Sequence, residues 1–246
     1  MSLIRRMLFG IAIAVLSALT VLLAPTAAAY INKPAVPAAL TTMIERAAFM
    51  VPVTADAALL IKRPNGLGSG VYIGGGRIVT AAHVVVGAKV VSLKSADGRI
   101  SSATVMAVDE KADLAILQTD MRLLAADLFC APVPVGTPIV AIGNPQGVEF
   151  VSAYGRIAGA AREVATSRLV YVTDMTTVMG QSGSGVFADG KVVGIVSAVM
   201  LAPLQVPGRD GVYVPSLVGF GYVVPSTLVC EMIAKLDAES AQGGAA

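Results

Sequence analysis

The sequence predicts an all-β fold, two six-stranded antiparallel β-barrels followed by a C-terminal helix. Three observations predict it. Short runs rich in Val, Ile, Leu and Ala recur from Ala57 onward, each ended by glycine or another turn residue. They fall into two series of six, separated by a connector containing Pro132 and Pro134. Behind Pro225 the texture changes again, to a helical stretch that Ser226 can cap.

The first series comprises Ala57–Lys62, Gly70–Ile73, Arg77–Thr80, Lys89–Lys94, Thr104–Val108 and Leu114–Gln118. So many short strands in so little chain favour closure, because a closed barrel leaves no edge open to other chains. Residues 119–134 read as the connector. The second series comprises Pro138–Ile142, Val151–Ile157, Arg168–Val172, Gly185–Ala188, Lys191–Ala198 and Gly219–Val224. The helix is expected from Ser226 to about Glu239.

The N-terminus reads differently. Arg5 and Arg6 precede an uncharged aliphatic run, Met7 to Ala24, and Ala27-Ala28-Ala29 offers a small-residue cleavage site. The run is just long enough to span a bilayer, so residues 1–29 are either a cleaved signal peptide or a retained membrane anchor. Both readings put the rest of the chain outside the cytoplasm, and the second attaches it to a membrane through residues 7–24. The expected organisation is therefore 1–29 targeting, 30–54 transition, 55–128 first barrel, and 129–240 second barrel with the helix.

Composition narrows the function classes. The chain is 55% hydrophobic and only 14% charged, too apolar for disorder. Its formal net charge of +2 comes from Arg5 and Arg6 in a segment without acids, so the remainder is balanced. No basic excess is left to hold a phosphate backbone, which argues against nucleic-acid binding. Residues 128–148 and 211–230 are free of charge, but prolines and glycines break them into buried strands rather than spans. Cys130 and Cys230 lack metal-ligand spacing and His83 is the only histidine, so no metal site and no cofactor is expected.

Three places carry chemistry. His83 follows Thr80-Ala81-Ala82 at the end of a strand, Asp113 opens the buried run Leu114-Ala115-Ile116-Leu117, and Ser182 sits in the turn Gly180-Gln181-Ser182-Gly183-Ser184-Gly185. A serine hydroxyl is a poor nucleophile until a base takes its proton. An imidazole, with a pKa of about 6.5 in free form, suits that task, and a buried carboxylate fixes its tautomer. Glycines around the serine let backbone N–H groups converge on a developing oxyanion. The order His, Asp, Ser is one of three known for this constellation; the others need the histidine last or an aspartate before it. Asp56 is the sole aspartate ahead of His83, and no motif supports it.

Over roughly residues 56–236 the sequence resembles trypsin-like serine proteases of the HtrA/Deg type. The resemblance rests on Gly68-Ser69-Gly70-Val71-Tyr72-Ile73, Ile78 to Val85, Ala112 to Leu117, Val140-Ala141-Ile142-Gly143-Asn144-Pro145 and Thr173-Asp174. It continues through Gly180 to Gly185, Gly194-Ile195-Val196-Ser197 and Gly219 to Ser226. It implies a chymotrypsin-like fold and a serine endopeptidase acting on protein or peptide. His83 would be the general base, Asp113 its orienter and Ser182 the nucleophile. The N–H groups of Gly180 and Ser182 would form the oxyanion hole, and Ser197 would support Asp113 on a strand that pairs with substrate. Thr176, Thr177, Ser197 and Val199 would line the primary pocket; the absence of a carboxylate there implies a shallow apolar pocket for small side chains. The family implies a homo-oligomer as an expectation.

The pattern departs from the family at Gln181, Ser184 and Gly185, and no PDZ domain is expected after the protease domain. Cys130 and Cys230 are either two buried thiols or, as in some chymotrypsin-like enzymes, a disulfide from connector to helix. The alternative to an enzyme is a catalytically silent protease fold used as a binding module or an anchored scaffold.

Overall fold

The computed structural model describes residues 55–64, 66–164 and 169–243. The targeting and transition segments expected over residues 1–54 lie outside the described residues, as does Arg168. The first barrel contains β1 (Ala58–Arg63), β2 (Gly66–Gly74), β3 (Arg77–Thr80), β4 (Val90–Ser95), β5 (Ile100–Asp109) and β6 (Leu114–Gln118). A single-turn helix, α1 (Ala82–Val85), follows β3. The order is β1-β2-β3-β6-β5-β4, and β4 pairs back onto β1 through Leu59↔Ser95 and Ile61↔Leu93.

The second barrel contains β7 (Pro138–Gly143), β8 (Val151–Glu163), β9 (Leu169–Thr173), β10 (Gly185–Ala188), β11 (Lys191–Gln205) and β12 (Tyr213–Pro225). Its order is β10-β11-β12-β9-β8-β7, closed by β10 on β7. Helix α2 (Ser226–Gly243) ends the described chain. This is the chymotrypsin-like architecture, all-β with two closed six-stranded barrels and one C-terminal helix.

Side-chain alternation explains why these strands read as unbroken apolar runs. On β2, β3 and β6, Tyr72, Ile78 and Leu117 point into the first barrel, while Val71, Val79 and Leu114 point the opposite way. That second face meets Val140, Phe187, Ile195 and Val224 of the other barrel, forming a buried seam. Ile139, Ile157, Tyr171, Val186 and Val223 fill the second barrel. Burying both faces leaves no polar side to alternate with. Full burial of one such aliphatic side chain stabilises by about 1.5–3 kcal/mol.

The structure extends three strands well past their expected ends: β8, which runs on from Ile157 to Glu163, and β11 and β12. The sequence ends β11 at Ala198 and starts β12 at Gly219, yet the ladder runs on as a hairpin through Leu201↔Leu217, Pro203↔Pro215 and Leu204↔Val214. The prolines hid it, since proline argues against an interior strand. Here they oppose one another, which fits a non-hydrogen-bonded pair where only outward N–H groups are lost. The ribbon leaves Leu201, Leu204, Tyr213 and Leu217 exposed.

Covalent and polar links tie α2 to the body. Cys130 and Cys230 form a disulfide with Cα atoms 6.0 Å apart, and Arg77 pairs with Asp237. Closing a loop of 100 residues restricts the unfolded chain, an effect worth about 4 kcal/mol. Ser226 departs from its expected capping role. Its hydroxyl donates to the carbonyl of Phe129, next to the disulfide, and so fastens the helix start to the connector.

Candidate active site

Asp113 is built into the sharp turn between β5 and β6. Its φ of 58° lies in the left-handed region, and its exposure is 1%. Ahead of it, the Ala112 N–H donates to Asp109 Oδ1 at 2.9 Å, closing the turn. The carboxylate receives three identified donors: the His83 ring Nδ1 at 2.9 and 3.0 Å, the His83 backbone N–H at 3.1 Å, and Ser197 Oγ at 2.5 Å. Burial pushes the Asp113 carboxyl up, but the hydrogen bonds from His83 and Ser197 outweigh it and hold the pKa below the ordinary carboxylate value.

An ionised carboxylate only accepts, so His83 Nδ1 carries the proton and Nε2 is left as the basic nitrogen. The imidazole side chain is 48% exposed and lines the cleft between the barrels. Its support is α1, a helix of one turn whose last carbonyls have no intrahelical partner. Arg63 on β1 caps them, with Nη1 to Val86 O at 2.9 Å and Nη2 to His83 O at 3.5 Å.

Ser182 lies in a turn held by its carbonyls. Val178 O accepts from Gln181 N–H, Met179 O from Gln146 N–H at 2.8 Å, Gly180 O from Ser69 Oγ at 2.9 Å, Gln181 O from Ser184 N–H, and Ser182 O from Ser69 N–H at 2.8 Å. The N–H groups of Gly180 and Ser182 donate to no described residue. Gly180 takes a φ of 94°, and a Cβ there would sit 2.4 Å from Asn144 O. Gly183 is equally obligatory, at φ 86° with a Cβ position 2.1 Å from Ser69 O.

The Ser182 hydroxyl contacts the Ser197 carbonyl at 3.4 Å, and among the described residues no hydrogen bond joins it to His83. Ser197 occupies a β-bulge of β11, which turns its carbonyl to the cleft and its hydroxyl to Asp113. Thr177, Val178, Ala198 and Val199 line a hollow of about 370 Å³ beside His83 and Ser182. Thr176 is exposed and lies outside that lining; the wall is formed by its buried neighbour Thr177. A second hollow, about 350 Å³, opens on the far side of Ser182 among Leu67, Val84, Gln146 and Met179. Sequence reading assigned no role to Arg63, Ser69, Asn144 or Gln146, although Gly68-Ser69-Gly70 and Gly143-Asn144-Pro145 are recognisable blocks.

Residues 68–195 match the family model of the trypsin-like peptidase domain, about half of the chain, and the chain belongs to that family. Within it the domain is of the HtrA/Deg type. It is 32% identical over 186 residues to the serine protease Do-like HtrA of Lactobacillus helveticus, covering 68% of this chain and 43% of that protein. It is also 32% identical over 183 residues to the periplasmic serine endoprotease DegP of Salmonella typhimurium, covering 69% and 35% respectively. Among solved structures, the HtrA-type protease AlgW with tripeptide superimposes with a TM-score of 0.65 at 27% identity, covering 77% of this chain and 62% of that one. The serine endoprotease from Yersinia pestis gives 0.60 at 25% identity, covering 76% and 65%. The chain spans less than half the length of these two curated relatives.

Proposed function

We propose that the chain is an extracytoplasmic serine endopeptidase that hydrolyses peptide bonds through an acyl-enzyme on Ser182. The observation carrying this reading is the Asp113-anchored imidazole sharing one cleft with Ser182 and two backbone N–H groups that donate to no described residue. Ser182 Oγ attacks the scissile carbonyl carbon while His83 Nε2 takes its proton. The carbonyl oxygen, now an oxyanion, accepts from the N–H groups of Gly180 and Ser182, and Asp113 supports the imidazolium. His83 then protonates the leaving amine. Water, deprotonated by the same nitrogen, releases the acyl group.

The Ser182 contact with Ser197 gives this cycle a resting state. An extended substrate pairing with β11 uses the Ser197 carbonyl for its own N–H, which frees the Ser182 hydroxyl to turn to His83. Thr177 and Val199 narrow the adjoining hollow and supply no charge, favouring small apolar side chains at the cleaved position. The run Met7 to Ala24 and the periplasmic name of the Salmonella relative support a site outside the cytoplasm.

The test is covalent labelling with a fluorophosphonate probe. The reading expects modification at Ser182 that Ser182→Ala and His83→Ala both abolish. Folded wild-type protein that resists the probe would favour the silent binding module instead.

A further inference from the structure

We infer that Ser69 and Asn144 are a positioning pair that sets the oxyanion-binding turn, and that they make its formation conditional on the docking of the two barrels. The inference rests on the reading of Ser182 as nucleophile. Ser69 is on β2 of the first barrel, Asn144 directly follows β7 of the second, and both are fully buried.

The argument is one of proton directions. A serine hydroxyl has one hydrogen and two lone pairs. At Ser69 both lone pairs are taken by Asn144, from its backbone N–H at 3.0 Å and its Nδ2 at 3.0 Å. The single hydrogen has one place left to go, the Gly180 carbonyl at 2.9 Å. The Asn144 amide cannot flip, because its Oδ1 accepts from Phe150 N–H at 3.1 Å while its second Nδ2 hydrogen reaches Leu59 O at 3.2 Å. Every member of this buried chain is satisfied in one arrangement only, the condition under which a polar network specifies geometry.

That geometry is the one catalysis uses. The Gly180 carbonyl fixes the peptide plane after Gly180, and the Met179 carbonyl, held by Gln146 N–H two residues beyond Asn144, fixes the plane before it. Together they orient the Gly180 N–H. Ser69 N–H grips Ser182 O at 2.8 Å, so one residue of the first barrel holds the turn on both sides of Gln181. With Ser69 displaced, the Gly180 carbonyl becomes a buried acceptor without a donor, and glycine, free to rotate, turns its N–H out of the hole. Neither residue touches the reacting atoms. They act through Gly180.

The experiment compares wild-type residues 1–246 with Ser69→Ala, Ser69→Thr, Asn144→Asp and the Ser69→Ala/Asn144→Asp double variant. A fluorogenic peptide with alanine at the cleaved bond gives kcat and KM, a peptide aldehyde reports on tetrahedral-adduct binding, and near-UV circular dichroism reports folding. Ser69→Ala is expected to lower kcat about 10- to 100-fold with KM within about threefold. Aldehyde affinity falls in parallel, and the pH profile of kcat/KM keeps its midpoint because the His83–Asp113 contacts are untouched. Ser69→Thr, which retains a hydroxyl, recovers most of the loss. Asn144→Asp, which loses the Nδ2 donor, costs about tenfold, and the double variant is no worse than Ser69→Ala because both act on one hydrogen bond. Wild-type kcat and aldehyde affinity in Ser69→Ala overturn the inference. So does a loss that Ser69→Thr does not recover, which marks a purely structural role. Should Ser69→Ala fail to fold, Asn144→Asp decides alone, and wild-type activity there overturns it. Wild-type protein that neither cleaves the peptide nor takes the fluorophosphonate probe overturns the nucleophile reading and this inference together.

Discussion

The two halves of the candidate site are held in opposite ways. On one side, Asp113 and His83 are joined through the imidazole and again through the backbone, with Ser197 closing the arrangement from below. On the other, the Ser182 hydroxyl keeps a single long contact to Ser197 O, and the N–H groups of Gly180 and Ser182 donate to no described residue. The difference follows from what each half must do. Charge that supports an imidazolium is most effective when oriented in advance, so it is fixed by folding. On the proposed reading the hydroxyl swings from Ser197 O to His83 during a turnover, which a loose hold permits. Turn carbonyls are saturated while the N–H groups of Gly180 and Ser182 donate to no described residue, which puts the rigidity in the frame and the freedom at the Ser182 hydroxyl.

The largest effect that can break this comparison is Ser182→Ala, expected to lower kcat about 10⁶-fold. Proton NMR should still show the downfield resonance of the His83 Nδ1 proton in that variant; its disappearance would mean the halves are not independent. Asp113→Asn should lower kcat about 10⁴-fold by disturbing the tautomer. It also carries a pH signature. The Asp113 pKa is lowered in the folded protein, so its contribution is present above the ordinary carboxylate range and lost as pH falls through the folded value. Urea unfolding should show the wild-type advantage over Asp113→Asn at pH 7 shrinking below about pH 4. Ser197→Ala removes one donor from a carboxylate that keeps His83, so kcat should fall only about tenfold and stability by about 1–3 kcal/mol in thermal unfolding. Smallest for activity is Cys130→Ser with Cys230→Ser. Denaturant titration should register a loss of about 4 kcal/mol while kcat stays within about twofold, because the bridge restrains the unfolded chain rather than the cleft.

Much of this was legible in the sequence, for reasons that differ along the chain. Arg77–Thr80, Leu114–Gln118 and Gly185–Ala188 match their expected limits because glycine or aspartate turns bound them sharply. The outer β11–β12 ribbon was not legible, because the pairing of Pro203 with Pro215 is a fact of register that neither strand states alone. The same holds within the site. His83, Asp113 and Ser182 carry residue types that chemistry singles out. Ser69 and Asn144 gain meaning only from each other, across 75 positions. Helix α1 escaped notice since four residues hold no periodicity. Thr176 and Thr177 are adjacent and alike, and only the turn of the backbone tells the exposed one from the wall.

The disulfide has a topological consequence. It closes a ring around everything from residue 131 to residue 229, which includes the whole second barrel, Ser182 and the exposed β11–β12 ribbon. The tip of that ribbon, around Arg209 to Val212, is exposed, and exposed loop tips are where proteolytic nicking concentrates. A single cut inside the ring separates nothing. The chain becomes two polypeptides joined by sulfur, with β12 and helix α2 still tethered to the part that carries His83, Asp113 and Ser182, and the nick is visible only after reduction.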